Sequence, residues 1–246
     1  MLTADPDALF DALAGQVPAW PRRPAAAQYR AFFRHLAGLF GRSVVVERSA
    51  ASLGLIGSLH EHFGSARFVH LYRDGADCAL SMSRHPVFRR ELLAIAAAHQ
   101  ARLPAGSTER ELRAALPERF TGLVFPPFDA AKLMAYPIPV TAFGRYRWSP
   151  MICAGVDALA KLPPDCWLPL RYEDLLRDPA ASLTALAQFI GIDAPRPWLA
   201  TAGEIIDPAK SGTAAAQLDP ATLAALRAAC APGERALTAA TAPSKP

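Results

Sequence analysis

The sequence predicts an α/β domain organised around a parallel sheet, and three observations lead to that prediction. Ser43-Val44-Val45-Val46-Glu47 and Arg67-Phe68-Val69-His70-Leu71-Tyr72 are short apolar or β-branched runs, the pattern of parallel strands buried on both faces. The stretches between and after them carry apolar residues at helical spacing, so the order reads β-α-β-α. The chain has 246 residues, of which 52% are apolar and 20% charged, enough to bury a real core.

The elements follow in order. Residues 7–15 and 26–40 show helical spacing, with Phe10, Leu13, Phe32, Phe33, Leu36 and Phe40 as the inward set. Strand 43–47 leads to a helix over 51–63, strand 67–72 and a helix over 75–84. From about 85 to 150 the periodicity loosens into helical pieces at 88–101 and 108–116 and Pro-rich aromatic segments, Phe125-Pro126-Pro127-Phe128 and Tyr136-Pro137-Ile138-Pro139. A stretch this long and irregular points to a lid or acceptor-binding region. Residues 151–161 read as a buried helix, and Cys166–Arg171 as a strand that Pro169 places at an edge. Asp178 and Pro179 supply an N-cap and first helical residue, and Gly191 a stop. A last helix covers 220–230, with a frayed tail over 239–246. The whole chain, 1–246, reads as a single domain.

Composition narrows the function. A net charge of +4 is too small for a nucleic-acid protein, yet an Arg-rich basic set suits a polyanionic small molecule, because guanidinium forks grip phosphate. Cys78, Cys153, Cys166 and Cys230 form no CxxC pair and read as the reduced thiols of a cytoplasmic protein. The N-terminus has no basic and apolar signal-peptide pattern, and no apolar run approaches the ~20 residues that span a bilayer. His60-Glu61-His62 lacks the spacing of a zinc helix, so no metal is expected, and Tyr146-Arg147-Trp148 reads as packing. Dinucleotide, Walker-type and nucleophile-elbow motifs do not occur.

The most informative stretch is Phe68 to Ser81. Arg73 stands where a strand ends and a helix begins, the edge at which open α/β sheets bind ligands. Helix N-termini attract anions there. Ser81 follows eight residues later, about two helical turns on, so both side chains can face one phosphate. The plainer alternative is that Asp74 caps the helix, Arg73 pairs with a carboxylate and Ser81 is a spacer.

This segment resembles the 3′-phosphate-binding motif of the sulfotransferases that use 3′-phosphoadenosine 5′-phosphosulfate (PAPS). Two further blocks extend the resemblance in the same order. Leu170-Arg171-Tyr172-Glu173-Asp174-Leu175 is similar to the family's "YEDL" block, whose tyrosine lies near adenine. Val44-Val45-Val46-Glu47-Arg48-Ser49 is similar to the strand ending in its general base. The resemblance implies a parallel-sheet fold like that of P-loop NTPases. It implies Arg73, Ser81 and Tyr172 as cofactor residues, Glu47 as the base and Arg48 at the usual lysine position. It implies sulfuryl transfer from PAPS to a hydroxyl or amine on a small-molecule, carbohydrate or peptide acceptor. A base within hydrogen-bond reach of that hydroxyl makes it a nucleophile.

The family's N-terminal phosphosulfate loop, a strand followed by a K/R-S-G-T/S turn and a helix, has no counterpart in residues 1–42. The expectation is therefore an N-terminally truncated domain with weak transfer activity. Lys210-Ser211-Gly212-Thr213 matches that loop's letters, but Glu204–Ala209 is a poor core strand, so Lys210 is expected only to touch the cofactor from the C-terminal side. Two alternatives stand beside the enzyme. One is a catalytically impaired, nucleotide-binding or structural remnant. The other is an unrelated phosphate-ester enzyme with a similar strand–Arg–helix pocket.

Overall fold

The computed structural model describes residues 3–49, 52–104 and 106–241. It divides into two compact units, Met1–Ala66 and Arg67–Pro246.

The first unit is helical. Asp5 caps α1 (Pro6–Gln16) by accepting from Ala8 N at 2.9 Å, and Pro6 takes the first helical position. α2 (Ala25–Leu39) ends at Gly41, whose φ of +59° allows the chain to reverse. The expected helix over 51–63 is shorter: a 3-10 turn at Ser52–Leu55 leads into α3 (Ile56–His62), and residue 51 lies outside the described residues. Two sequence expectations fail in this unit. Phe10 is 70% exposed rather than inward, and residues 43–47 form no strand. Val46 is 73% exposed, and among the described residues this segment joins no sheet. A β-branched run is suited to a pleated, half-buried surface, and it becomes a strand only where a ladder partner is supplied.

The second unit holds the sheet, which has two parallel strands, β1 (Phe68–Tyr72) and β2 (Trp167–Arg171). They pair in register from Phe68 opposite Trp167 to Tyr72 opposite Arg171. Both strands are edges, which is how Pro169 is accommodated. The molecule is therefore mostly helical, α/β only in its small parallel pair.

β1 leads into α4 (Gly75–Ser83) and α5 (Pro86–Gln100). The stretch expected to be irregular is mostly helical: α6 (Glu109–Ala115), α7 (Glu118–Val124), α8 (Ala130–Ala135) and α9 (Val140–Phe143). Helices of one or two turns carry too few apolar residues to show a period, although Thr108 and Asp129 cap two of them. This region has its own core of Leu123, Val124, Phe125 and Leu133. The buried Arg89 ties it to α4, donating to the carbonyls of Leu133, Ser83 and Tyr136.

α9 continues through a π-helical turn, Gly144–Trp148, into α10 (Ser149–Leu159). After β2 come α11 (Tyr172–Arg177), α12 (Pro179–Ile190), α13 (Arg196–Ile205), α14 (Thr213–Gln217) and α15 (Pro220–Thr241). Asp178 caps α12, accepting from Ala181 N at 3.0 Å, and Gly191 ends it at φ 86°, as the sequence predicts. α15 runs eleven residues past the expected end at 230, so the frayed tail does not begin at 239; residues 242–246 lie outside the described residues. Pro232 and Gly233 are both inside α15. Pro232 deprives the helix of one donor, and the Ser149 hydroxyl donates to the nearby Ala229 carbonyl at 3.0 Å.

Gly233 is there for packing. The main core is centred on Trp148, 1% exposed, between α4, α10 and α15. A β-carbon on Gly75 or on Gly233 would lie 2.6 Å from the Trp148 ring. Gly144 plays the same part against Cys230, where a β-carbon would lie 2.8 Å from the sulfur. The four thiols are free, and burial pushes those of Cys78 and Cys230 up to about 12. Among the described residues no helix is long and apolar enough to cross a membrane.

Gly233→Ala separates two opposed effects. Helix propensity favours Ala by about 1 kcal/mol. Overpacking against a walled-in indole costs up to about 3 kcal/mol. Thermal unfolding should therefore show a net loss of about 2 kcal/mol, and a stabilised variant would show that Trp148 can move.

Candidate functional site

The site is built where the two parallel strands end. β1 delivers Arg73 and β2 delivers Tyr172, the first residue of α11. Because the strands are parallel and in register, Tyr72 faces Arg171, so the residues after them emerge on the same edge. The Arg73 guanidinium lies 5.3 Å from the Tyr172 ring centroid, within cation–π range.

Asp74 caps α4, accepting from Asp77 N at 2.8 Å. Two more carboxylates close the same helix end. Glu173 accepts from Asp74 N at 2.9 Å and Glu234 from Gly75 N at 2.7 Å. The first turn of α4 is therefore capped by the protein's own acids. Burial holds the Glu234 carboxyl above its ordinary value, against the opposing pull of the Gly75 N–H.

Arg73 turns toward the C-terminal segment. Its Nη2 donates to Asp77 at 2.8 Å, to the Lys210 carbonyl at 2.5 Å and to the Thr213 hydroxyl at 3.4 Å. Its Nε is buried and has no hydrogen-bond partner among the described residues. Asp77, 2% exposed, is the hub. It accepts from Arg73, from Gly212 N at 2.8 Å, from Ala214 N at 2.7 Å and from the Thr213 hydroxyl at 3.1 Å. Burial opposes its ionisation, but the Ala214 N–H, Arg73 and the Gly212 N–H outweigh burial and hold Asp77 below the usual aspartate range.

This geometry explains the Lys210-Ser211-Gly212-Thr213 letters. Gly212 takes a left-handed φ of 74°, which aims the N–H groups of 212 and 214 into one concavity. The anion in that nest is Asp77. A helix and a 3-10 turn, Arg196–Ile205 and Pro208–Lys210, precede it rather than a strand, as expected for a segment that is not the phosphosulfate loop. Lys210 does reach the site, but through its backbone carbonyl; its ammonium stands 3.8 Å from Asp207.

Arg73, Tyr172 and the Lys210 backbone are thus brought together. Ser81 is exposed in the last turn of α4, one turn beyond Asp77, and is outside the Arg73 hydrogen-bond set. Glu47 and Arg48 are exposed in a segment of the first unit without regular secondary structure. A pocket of about 130 Å³, as much apolar as polar in its lining, is bounded by Asp74, Asp77, Arg171, Glu173, Leu223 and Arg227, among others. That volume suits a phosphate-sized group rather than a whole nucleotide. Sequence reasoning missed Asp77, Glu173, Thr213 and Glu234. The i, i+4 spacing of Arg73 and Asp77 was a usable local signal. Nothing local marks Glu234, 159 residues from its partner.

Asp77→Ala should cost about 3 kcal/mol, because it leaves a half-buried guanidinium and two backbone donors unpaired. The pH response carries a second signature. Burial lowers His70 to about 4 from about 6.5, so protonation is tolerated less in the folded chain and stability falls as pH drops from 6.5 toward 4. Asp77 has a depressed folded value, so its contribution is complete above about 3.9 and is lost as pH falls below that. Urea titrations across pH should show Asp77→Ala flattening only the lower stage. An unchanged acid limb would remove Asp77 as the hub.

Comparisons of the chain with models of known protein families, with curated proteins and with solved structures returned no match.

Proposed function

We propose that this chain binds PAPS at Arg73 and transfers its sulfuryl group to a hydroxyl or amine acceptor, in the manner of the sulfotransferases its motifs resemble. The observation that carries the reading is the convergence of two separated cofactor candidates, Arg73 and Tyr172, at the ends of two parallel strands, with the backbone carbonyl of a third, Lys210, against the Arg73 guanidinium. Two observations support a phosphate there: the buried Nε of Arg73 is a donor without an acceptor among the described residues, and Arg227 lines the adjoining pocket beside Arg171, which is paired with Glu173 at 3.1 Å. When bound, PAPS would supply the sulfuryl group that passes to the acceptor, with adenosine 3′,5′-bisphosphate as the leaving group. Arg73 would hold the 3′-phosphate and Tyr172 the base. The exposed carboxylate of Glu47 is open to accept the proton of an acceptor hydroxyl, with Arg48 beside it in sequence.

A second reading is favoured by a specific observation. Nη2 of Arg73 is already committed to Asp77, Lys210 and Thr213, and three carboxylates close the α4 end. That arrangement serves a structural or weakly nucleotide-binding remnant equally well.

Calorimetry with adenosine 3′,5′-bisphosphate (PAP) separates the two. The enzyme reading expects PAP to bind better than AMP, and Arg73→Ala to weaken PAP by about 1.5–3 kcal/mol, the scale of a charged hydrogen bond. Transfer from labelled PAPS by this chain should be weak, and in a chain extended by a phosphosulfate loop Glu47→Gln should abolish it while leaving PAP affinity unchanged. Equal affinity for PAP and AMP, or equal PAP binding by wild type and Arg73→Ala, removes the assignment.

A further inference from the structure

The first unit carries a charge pattern that the nucleotide reading does not use. Between Asp11 and Glu47 there is no acidic residue, while Arg22, Arg23, Arg30, Arg34 and Arg42 all fall in that interval. The fold gathers part of this surplus around an aromatic wall. An open cleft of about 330 Å³ lies between the 20–23 segment and α2, lined by Trp20, Pro21, Arg23, Ala31, Arg34 and His35. No carboxylate is among these residues. Ala31, Arg34 and His35 are spaced at i, i+3 and i+4, so α2 presents them on one face.

The wall is held in place. Trp20 meets His35 edge-on with ring centroids 5.2 Å apart and leans on Phe32 at 6.5 Å, so the indole is oriented by its neighbours. Arg23 is kept near the cleft by the Pro21 carbonyl at 3.3 Å and Gln28 at 3.4 Å, both neutral partners that leave its charge uncompensated. Arg30, by contrast, is used internally, donating to the His62 carbonyl at 2.7 Å. Arg34 is exposed and forms no ion pair or hydrogen bond among the described residues.

We infer that this cleft is a binding site for a small aromatic oxyanion: a flat ring bearing a phosphate, sulfate or carboxylate group. The ring packs on Trp20 and Pro21, while Arg34 and Arg23 supply the forked donors that match an oxyanion. Its volume, at the lower end for small-molecule sites, suits one or two fused rings rather than a polymer. The inference is independent of the PAPS reading, since none of its residues is used there and the proposed cofactor residues Arg73, Tyr172 and Lys210 belong to the other unit.

The test uses the full chain and three probes in low-salt calorimetry: 2-naphthyl phosphate, 2-naphthol and inorganic phosphate. The ring and the charge are both required, so 2-naphthyl phosphate should bind about tenfold or more tightly than either fragment. Arg34→Gln, a change at an exposed side chain, should weaken it about tenfold, the scale of one charge-assisted contact. Trp20→Leu should weaken it as well, with circular dichroism confirming the fold. Arg73→Ala should leave it unchanged, which separates this site from the nucleotide site. The proposal is overturned if no binding appears below about 5 mM. It is equally overturned if 2-naphthol or phosphate alone binds as well, if Arg34→Gln is silent, or if only Arg73→Ala weakens binding.

Discussion

The second unit depends on one buried carboxylate. Asp77 is 2% exposed, and an aspartate in that position stays ionised only if its oxygens are fully supplied with donors. Those donors come from Arg73, four residues before it, and from the turn at Gly212–Ala214, more than 130 residues after it. Meeting the carboxylate's need therefore fastens the start of α4 to the C-terminal segment. Arg73 also grasps the Lys210 carbonyl, so the same requirement positions the guanidinium at the strand ends.

The helix end beside this hub is saturated in the same way. Asp74, Glu173 and Glu234 each cap a backbone N–H in the first turn of α4. An external phosphate at that end would meet carboxylates rather than open donors, so the attraction that helix N-termini have for anions is largely spent internally. What remains is the orphaned Nε of Arg73, with Arg227 and the Glu173-paired Arg171 at the neighbouring pocket. An anion at this edge would meet guanidinium groups rather than open backbone N–H groups, unlike one in a phosphate loop.

Packing makes the hub possible. Gly75 must lack a β-carbon for Trp148 to lie against the start of α4, and Gly233 does the same on α15. The indole brings α4 and α15 close enough for Glu234 to reach Gly75 N at 2.7 Å. The first unit is organised differently, with half-buried Phe32 and Phe33 on α2 and, among the described residues, no ion pair at its arginines.

The sequence alone determined whatever depends on near neighbours. The strands at 68–72 and 167–171, the Asp74 and Asp178 caps, the Gly191 stop and Arg73 at a strand end are all encoded within a few residues, and all are present. It also located Tyr172 and the Lys210 segment at the same edge as Arg73. Tertiary structure decided the rest. Residues 43–47 have a strand's composition but no ladder, because pairing requires a partner that composition does not provide. The last helix is expected to end at 230, yet α15 continues to Thr241, with Gly233 packed against Trp148. The Lys210–Thr213 turn has the letters of a phosphate loop, but its anion is Asp77, far away in sequence. Local patterns specify dihedral angles and caps; which donor meets which acceptor is settled only when the chain closes and every buried charge must find its partners.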